Sequence, residues 1–445
     1  MASAHLSQTI SSSTGKKFTM STWFKKTAND NINQVLHLTS DNNTHKYIDY
    51  ATKSNYGIDF QLKNGSGGTY LRRRTNRLLR DFSGWYHVVI RFDSTQASAG
   101  DRLRIYINGE QATDIDTDST PDVPQDYVTE FNTNGSTLWI GKNPSGSGYY
   151  FDGLMAHFHL TDGYSYAPTT FGETDATTGI WKPKTGPSVT YGTNGFFLEF
   201  DNSANMGLDS SGQSNNFTTN GTIIQTKDTP SHVFATLNRL QRYDDYNLTL
   251  LDNRFTNTSS GAHRAVHSSL AALSGKYYAE VKVTTLGGTY PQIGVINPDV
   301  MDYTSYLGAS NKGYGYLSNG NKQYNNSATS WGNTYTTNDI IGIAMDLDNH
   351  KLYFSKNGTF QESGDPTSGS TGTGAAYSLA TGVFYSFGGS SYHGGTNPVY
   401  DWNFGNGYFG TAAVASAGTN ASGNGVFEFD VPAGYTALST KGLNT

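Results

Sequence analysis

The chain carries few residues that could do covalent chemistry. It has no cysteine, so disulfides and thiolate metal ligands are excluded. It has seven glutamates, at 110, 130, 173, 199, 280, 362 and 428. A glycosidase needs two carboxyl groups about 5–9.5 Å apart across the scissile bond. The nearest local pair is Glu173 and Asp175, which sits among turn residues and has no third carboxylate nearby. Gly-x-Ser-x-Gly, His-Glu-x-x-His and a phosphate-cradling Gly-rich loop are all missing. The pattern predicts a protein that is not an enzyme.

Three groups offer binding chemistry instead. Asp114, Asp116 and Asp118 have the 1-3-5 spacing of a calcium loop, but Ser119 and Gln125 stand where an EF-hand needs Gly and Glu. That leaves a looser calcium site on a sandwich rim against an acidic surface loop, and no other cofactor is expected. His157 and His159 are two apart on a strand pattern, which puts both imidazoles on one side. They read as polar residues on an outer face, with Ala156, Phe158 and Leu160 inside; a shared metal is the alternative. The third group is aromatic. Tyr303, Tyr306, Tyr314, Tyr316, Tyr324, Trp331 and Tyr335 fall close together, interleaved with Asn311, Asn319, Asn325, Asn326 and Asn333. Sugar rings stack on aromatic faces, and their hydroxyls pair with amides. Tyr303, Tyr306, Tyr324, Asn326, Trp331 and Tyr335 are the candidate ligand-binding residues; Tyr314 and Tyr316 alternate as strand core.

The elements that must position these groups are strands. Phe18, Met20, Thr22 and Phe24 alternate on one face; Leu103–Gly109 alternates and ends in Asn-Gly. Tyr277, Ala279, Val281 and Val283 oppose Tyr278, Glu280 and Lys282. Residues 339–358 read as a hairpin. Asn-Gly occurs nine times, each a pair that tolerates the positive φ of a type I′ turn. No segment keeps a 3.6-residue period with caps, and no fixed strand repeat marks a propeller or β-helix. The 51 glycines and 30 tyrosines agree with many turns between strands. The chain is expected to be all-β, two antiparallel sandwiches in tandem.

Charge excludes a nucleic-acid partner. The net charge of −6 comes from residues 166–445, while 1–165 is balanced, and only 15% of residues are charged. Arg72, Arg73 and Arg74, with Arg77 and Arg80, read as a solvated strand and loop. Neither a run of ~18 apolar residues nor a basic-then-apolar N-terminus is present, so no membrane insertion and no signal peptide is expected.

Two family resemblances follow. Phe18–Lys25, Gly84-Trp85-Tyr86-His87-Val88-Val89, Arg104–Gly109, Leu138–Gly141 and Phe151–Ala156 resemble a laminin G-like, concanavalin A-type jelly roll over residues 1–165. Gly275–Val281, Ile293-Gly294-Val295, Gly313–Tyr316, the 345–358 hairpin and Asn403-Phe404-Gly405 resemble a SPRY sandwich over 255–410. Residues 166–254 form a Gly/Thr/Pro-rich joint, which is expected to be ordered because Trp181, Phe196, Phe197 and Phe200 are too apolar to float between domains, and which can lend strands to either sandwich. Residues 411–445 complete the chain as loop, strand and tail.

The joint carries a third resemblance. Phe171–Asp175, Gly179-Ile180-Trp181, Tyr191–Phe196, Asp209–Gly212, Asp228-Thr229-Pro230 and Pro432–Lys441 are similar to structural proteins of tailed, especially marine, bacteriophages. This resemblance implies a virion protein, made in the host cytoplasm, of tail-fibre or adhesin type. Its implied partners are other virion proteins, a host-surface glycan or protein, and further copies of itself in a homo-oligomer such as a trimer. A head or neck decoration protein is the alternative, favoured by a folded domain that begins within ~15 residues of Met1. A glycan hydrolase of the concanavalin A-like class is the third reading.

Overall fold

The structure is a computed structural model. It describes residues 4–26, 33–39, 46–52, 57–64, 69–116, 122–144, 149–176, 179–184, 186–239, 246–249, 253–300 and 302–444. These form strands and short 3-10 turns, and none of them is α-helical. The chain divides into two compact units, Met1–Gln225 and Thr226–Thr445.

The first unit is a sandwich of a seven-stranded and a six-stranded antiparallel sheet. Alternation builds it: Leu36, Leu38, Ile48, Tyr50, Phe60 and Leu138 of one sheet meet Phe18, Met20, Phe24, Val88, Ile90 and Phe158 of the other in one core. The stretch 166–225 belongs to this unit. Phe196–Leu198 pairs with Gly153–Asp162, and Thr218–Asn220 pairs with His5–Thr9. Phe196, Leu198 and Phe217 enter the core, while Phe200 packs against it.

The second unit sets a nine-stranded sheet against a six-stranded one. Tyr277, Ala279, Val281 and Val283 face the core with Ile293, Val295, Ile341, Ile343 and Trp402. The 339–358 hairpin forms as Ile340–Asp346 paired with Lys351–Lys356. Residues 226–254 belong here, and Tyr246–Thr249 pairs with Arg254–Asn257. The opposite face of the nine-stranded sheet is roofed by the C-terminal residues. Phe427, Val431, Tyr435 and Ala437 cover Tyr278, Ala344 and Tyr353.

The Asn-Gly pairs behave less uniformly than their sequence suggests. Positive φ at both residues occurs at Asn108–Gly109 and Asn357–Gly358 among the described residues. At Asn194–Gly195 neither residue adopts it. There the Asn194 side chain is buried, accepting from the Ser11 N–H (2.8 Å) and donating to Asp162 Oδ2 (2.9 Å).

Candidate functional site

The six aromatic and amide candidates separate by strand parity. Tyr316, a core residue, is registered with Lys322, so Tyr324 shares the inward side. Its ring stacks on Tyr314 at 4.7 Å. Trp331 meets Tyr316 edge-on at 5.4 Å. Tyr335 leaves the candidate set altogether: it is 2% exposed, and its hydroxyl donates to the carbonyls of Pro291 and Tyr316. These three side chains pack on the core side.

Tyr303, Tyr306 and Asn326 come together on the outer face of the six-stranded sheet. A strap, residues 302–312, crosses that face, and glycines make room for it. Gly388, Gly294 and Gly315 lie side by side in register. A Cβ on Gly294 or Gly388 would stand 3.2 Å from the Leu307 side chain. Leu307 is 1% exposed there, and its N–H donates to Ser390 Oγ (2.9 Å). The next N–H, of Gly308, donates to buried Gln292 Oε1 (2.9 Å). The Asn325–Asn326 turn, with positive φ at both residues, closes Asn321–Tyr324 onto Ser327–Ser330 and donates to the strap carbonyls of Ser310 and Gly308.

Seated this way, the strap presents Tyr306 beside two residues that the sequence reading did not select. The His263 ring lies 5.1 Å from Tyr306 and 5.0 Å from Tyr392, tilted to both. His263 and Tyr392 are direct cross-strand partners. The Tyr306 hydroxyl donates to Asn326 Oδ1. Tyr303 is fixed below: His267 Nδ1 donates to the Ser268 carbonyl (2.7 Å), so its Nε2 accepts from the Tyr303 hydroxyl (3.0 Å). Burial holds His263 and His267 below the usual imidazole range, and pushes Tyr303 up to about 12. Both imidazoles are therefore uncharged at pH 7. Tyr290, 59% exposed, follows Thr289, which pairs with Tyr392. The signal for His263 was available in the alternation His263, Ala265, His267.

The remaining candidates are placed as follows. Asp114 is exposed and accepts from Asn76 Nδ2 (2.7 Å), while the Asp116 N–H donates to the Arg74 carbonyl; Asp118 lies outside the described residues. No three His, Cys, Asp or Glu side chains among the described residues could share a metal ion. Arg77 and Arg80 are exposed, but Arg72, Arg73 and Arg74 are engaged rather than solvated. Arg72 grips buried Asp59 with two bonds (3.0 and 2.6 Å), Arg73 pairs with Asp122, and Arg74 is 9% exposed.

The reading of His157 and His159 as simple outer-face neighbours needs correction. A β-bulge lies between Ala156, which pairs with Trp23, and His159, which pairs with Ser21. His157 is the extra residue, at φ 47°. The bulge flips the alternation, so Ala156 shares the outer side with His159 while Phe158 points inward. His159 is 3% exposed, because the chain folds back over it.

Comparison with known proteins agrees with this architecture. Residues 2–167 match the laminin G family model described as "Concanavalin A-like lectin/glucanases superfamily", and residues 276–385 match the model described as "SPRY domain". Three solved structures are similar to the chain. The SPRY domain of human HERC1 is 17% identical; the match covers 34% of this chain and 87% of that one, with a TM-score of 0.28. A human SPRY domain is 12% identical (36% and 94% covered, TM-score 0.27), and the TRIM65 PSpry domain is 13% identical (38% and 91% covered, TM-score 0.28). The chain is all-β, a laminin G-like, concanavalin A-like domain followed by a SPRY domain. Both kinds of domain fit a binding role.

Proposed function

We propose that this chain is a non-enzymatic binding protein of a tailed-phage particle, an appendage adhesin whose SPRY unit takes neutral host-surface carbohydrate. The observation that carries the ligand class is the row Tyr306, His263 and Tyr392 with the Asn326 carboxamide at its edge. Three rings and an amide, uncharged at neutral pH, suit the apolar faces and hydroxyls of a sugar. The phage setting rests on the resemblance carried by the 166–254 stretch. Such a shallow site binds weakly, and several copies in a homo-oligomer attached to other virion proteins would supply the avidity.

The test is an array of neutral bacterial-surface glycans, read alongside adsorption to host cells, with the full chain. Tyr306→Ala and His263→Ala are each expected to lower glycan signal tenfold or more with an unchanged fold. Equal binding by the variants and the parent would remove the patch from the reading. No binding by the parent to any glycan or cell overturns the adhesin and favours a decoration protein. Release of free sugar from the glycans would overturn the non-enzymatic part.

A further inference from the structure

We infer that the described residues of 164–195 form a proton-released strap, whose middle lifts from the outer face of the first unit's six-stranded sheet when His87 and His159 take up protons. The three imidazoles are gathered on that face by the register. His87 pairs with Trp23, and His159 pairs with Ser21, on the same central strand, Lys17–Lys26. His157 bulges out beside them, 6.0 Å from the Phe197 ring that also stacks on His159 at 3.9 Å.

The strap is held through the uncharged forms of His87 and His159. Indole N–H can only donate, so the bond from Trp181 Nε1 to His87 Nδ1 (2.9 Å) requires that nitrogen to be bare. The ring proton then sits on Nε2, which donates to Ser21 Oγ (2.8 Å). His87 is wholly buried, with Trp23 stacked on it at 4.5 Å. His159 Nδ1 meets the Tyr191 hydroxyl at 2.9 Å, and Phe171 lies 5.0 Å from its ring. Trp181, Tyr191 and Phe171 all belong to the strap. A proton on His87 Nδ1 would set two N–H groups head to head, and a charge on His159 would be sealed under aromatic rings.

The surrounding charges do little to relieve this. Lys25 follows Trp23 by two residues on the same face, and Arg91 lies on the strand of His87, donating to Ser165 Oγ (2.8 Å). Glu199 raises His157 slightly and also acts on Tyr191, as Asp209 and Tyr166 do. Glu173 and Asp175, on the strap, are engaged by Lys182 (3.8 and 2.8 Å). In keeping with the geometry, burial pushes His87 down to about 3 and holds His159 well below, and His157 below, the imidazole range.

The strap has little else to hold its middle. Its hairpin, Gly172–Thr174 with Trp181–Pro183, pairs with itself, and its ends are fixed by Gly163 N–H to the Lys17 carbonyl (2.9 Å) and Asp162 N–H to the Tyr191 carbonyl (2.7 Å). Phe196 and Leu198 stay in the core when it lifts, so the opening is local. With ordinary imidazoles in the open form, each pH unit below ~6.5 favours opening by up to about tenfold per ring, or about a hundredfold for the two.

Hydrogen exchange on the full chain, corrected for intrinsic rates, tests this. The Trp181 indole N–H, which bonds to His87, is expected to lose protection between pH 6.5 and 4.5, while the amides of Tyr86–Asp93 stay protected. In a His87→Gln/His159→Gln variant the amides can accept from Trp181 and Tyr191 but cannot titrate, so the strap should stay closed throughout. A parent strap still protected at pH 4.5, or a double variant that opens over the same window, overturns the inference. Histidine ring NMR on the parent is the second measurement, in case the variant does not fold. His87 and His159 should titrate together with strap opening, and separate titration with the strap still protected also overturns it.

Discussion

Glu280 is the clearest case of a side chain whose environment the sequence could not disclose. The alternation of Lys276–Thr285 puts it opposite the core face, where solvent is the default. It is 0% exposed instead, because its carboxylate accepts the N–H groups of Glu428 (2.8 Å) and Phe429 (2.9 Å), almost 150 residues on. Burial raises its pKa to about 7, with those bonds and the Tyr278 hydroxyl opposing. The folded state therefore binds a proton more tightly than the unfolded chain. That contribution is fully present below ~4.5 and is lost as pH rises through ~7, a change of about 3 kcal/mol from the ordinary value. Glu280→Gln is expected to remove this slope. Urea unfolding of the SPRY unit, followed from pH 4.5 to 8, should show parent and variant converging as pH rises. The variant is expected to lose about 1–3 kcal/mol at low pH, since an amide nitrogen cannot accept the second N–H. Parallel curves would refute the assignment.

Among elements, strands were legible and the segments covering them were not. Alternation identified the core face at Phe18, Met20 and Phe24 and at Tyr277 to Val283 because burial on one side of a pleat imposes a period of two. The described residues of 164–195, 302–312 and 411–440 have no period, since side-chain-to-backbone bonds and single buried side chains hold them in place. The first reads as part of the joint and the last as loop and tail. The 302–312 strap explains why three of the six ligand candidates met at one place: Leu307, not an aromatic, seats it in the glycine row. Leu307→Ala should cost about 2–5 kcal/mol for a buried leucine. It should also weaken glycan binding under conditions where the unit remains folded, because Tyr303 and Tyr306 would lose their fixed positions. Full-strength binding by a destabilised Leu307→Ala protein would mean that the strap does not position the patch.

At the scale of the whole molecule, the resemblance to a jelly roll places a boundary near residue 165, and the laminin G match ends at 167. The packing places it at 225. The difference is physical. Phe196, Leu198 and Phe217 are 0%, 0% and 5% exposed in the first core, and Phe196–Leu198 forms an edge of its six-stranded sheet. Such side chains contribute about 1.5–3 kcal/mol each when buried. Three of them amount to roughly 5–9 kcal/mol, comparable with the entire ~5–15 kcal/mol stability of an ordinary domain. A fragment of residues 1–165 would also uncover His159 and the Trp23–His87 stack, now roofed by Trp181 and Phe197. Residues 1–225 are therefore expected to fold alone with a single cooperative thermal transition and dispersed amide NMR signals. Residues 1–165 should give a broad or absent transition, with poor dispersion. Equal cooperativity in the two fragments would show that the added strands decorate a sandwich already complete at 165, and would move the unit boundary back to where the sequence motifs end.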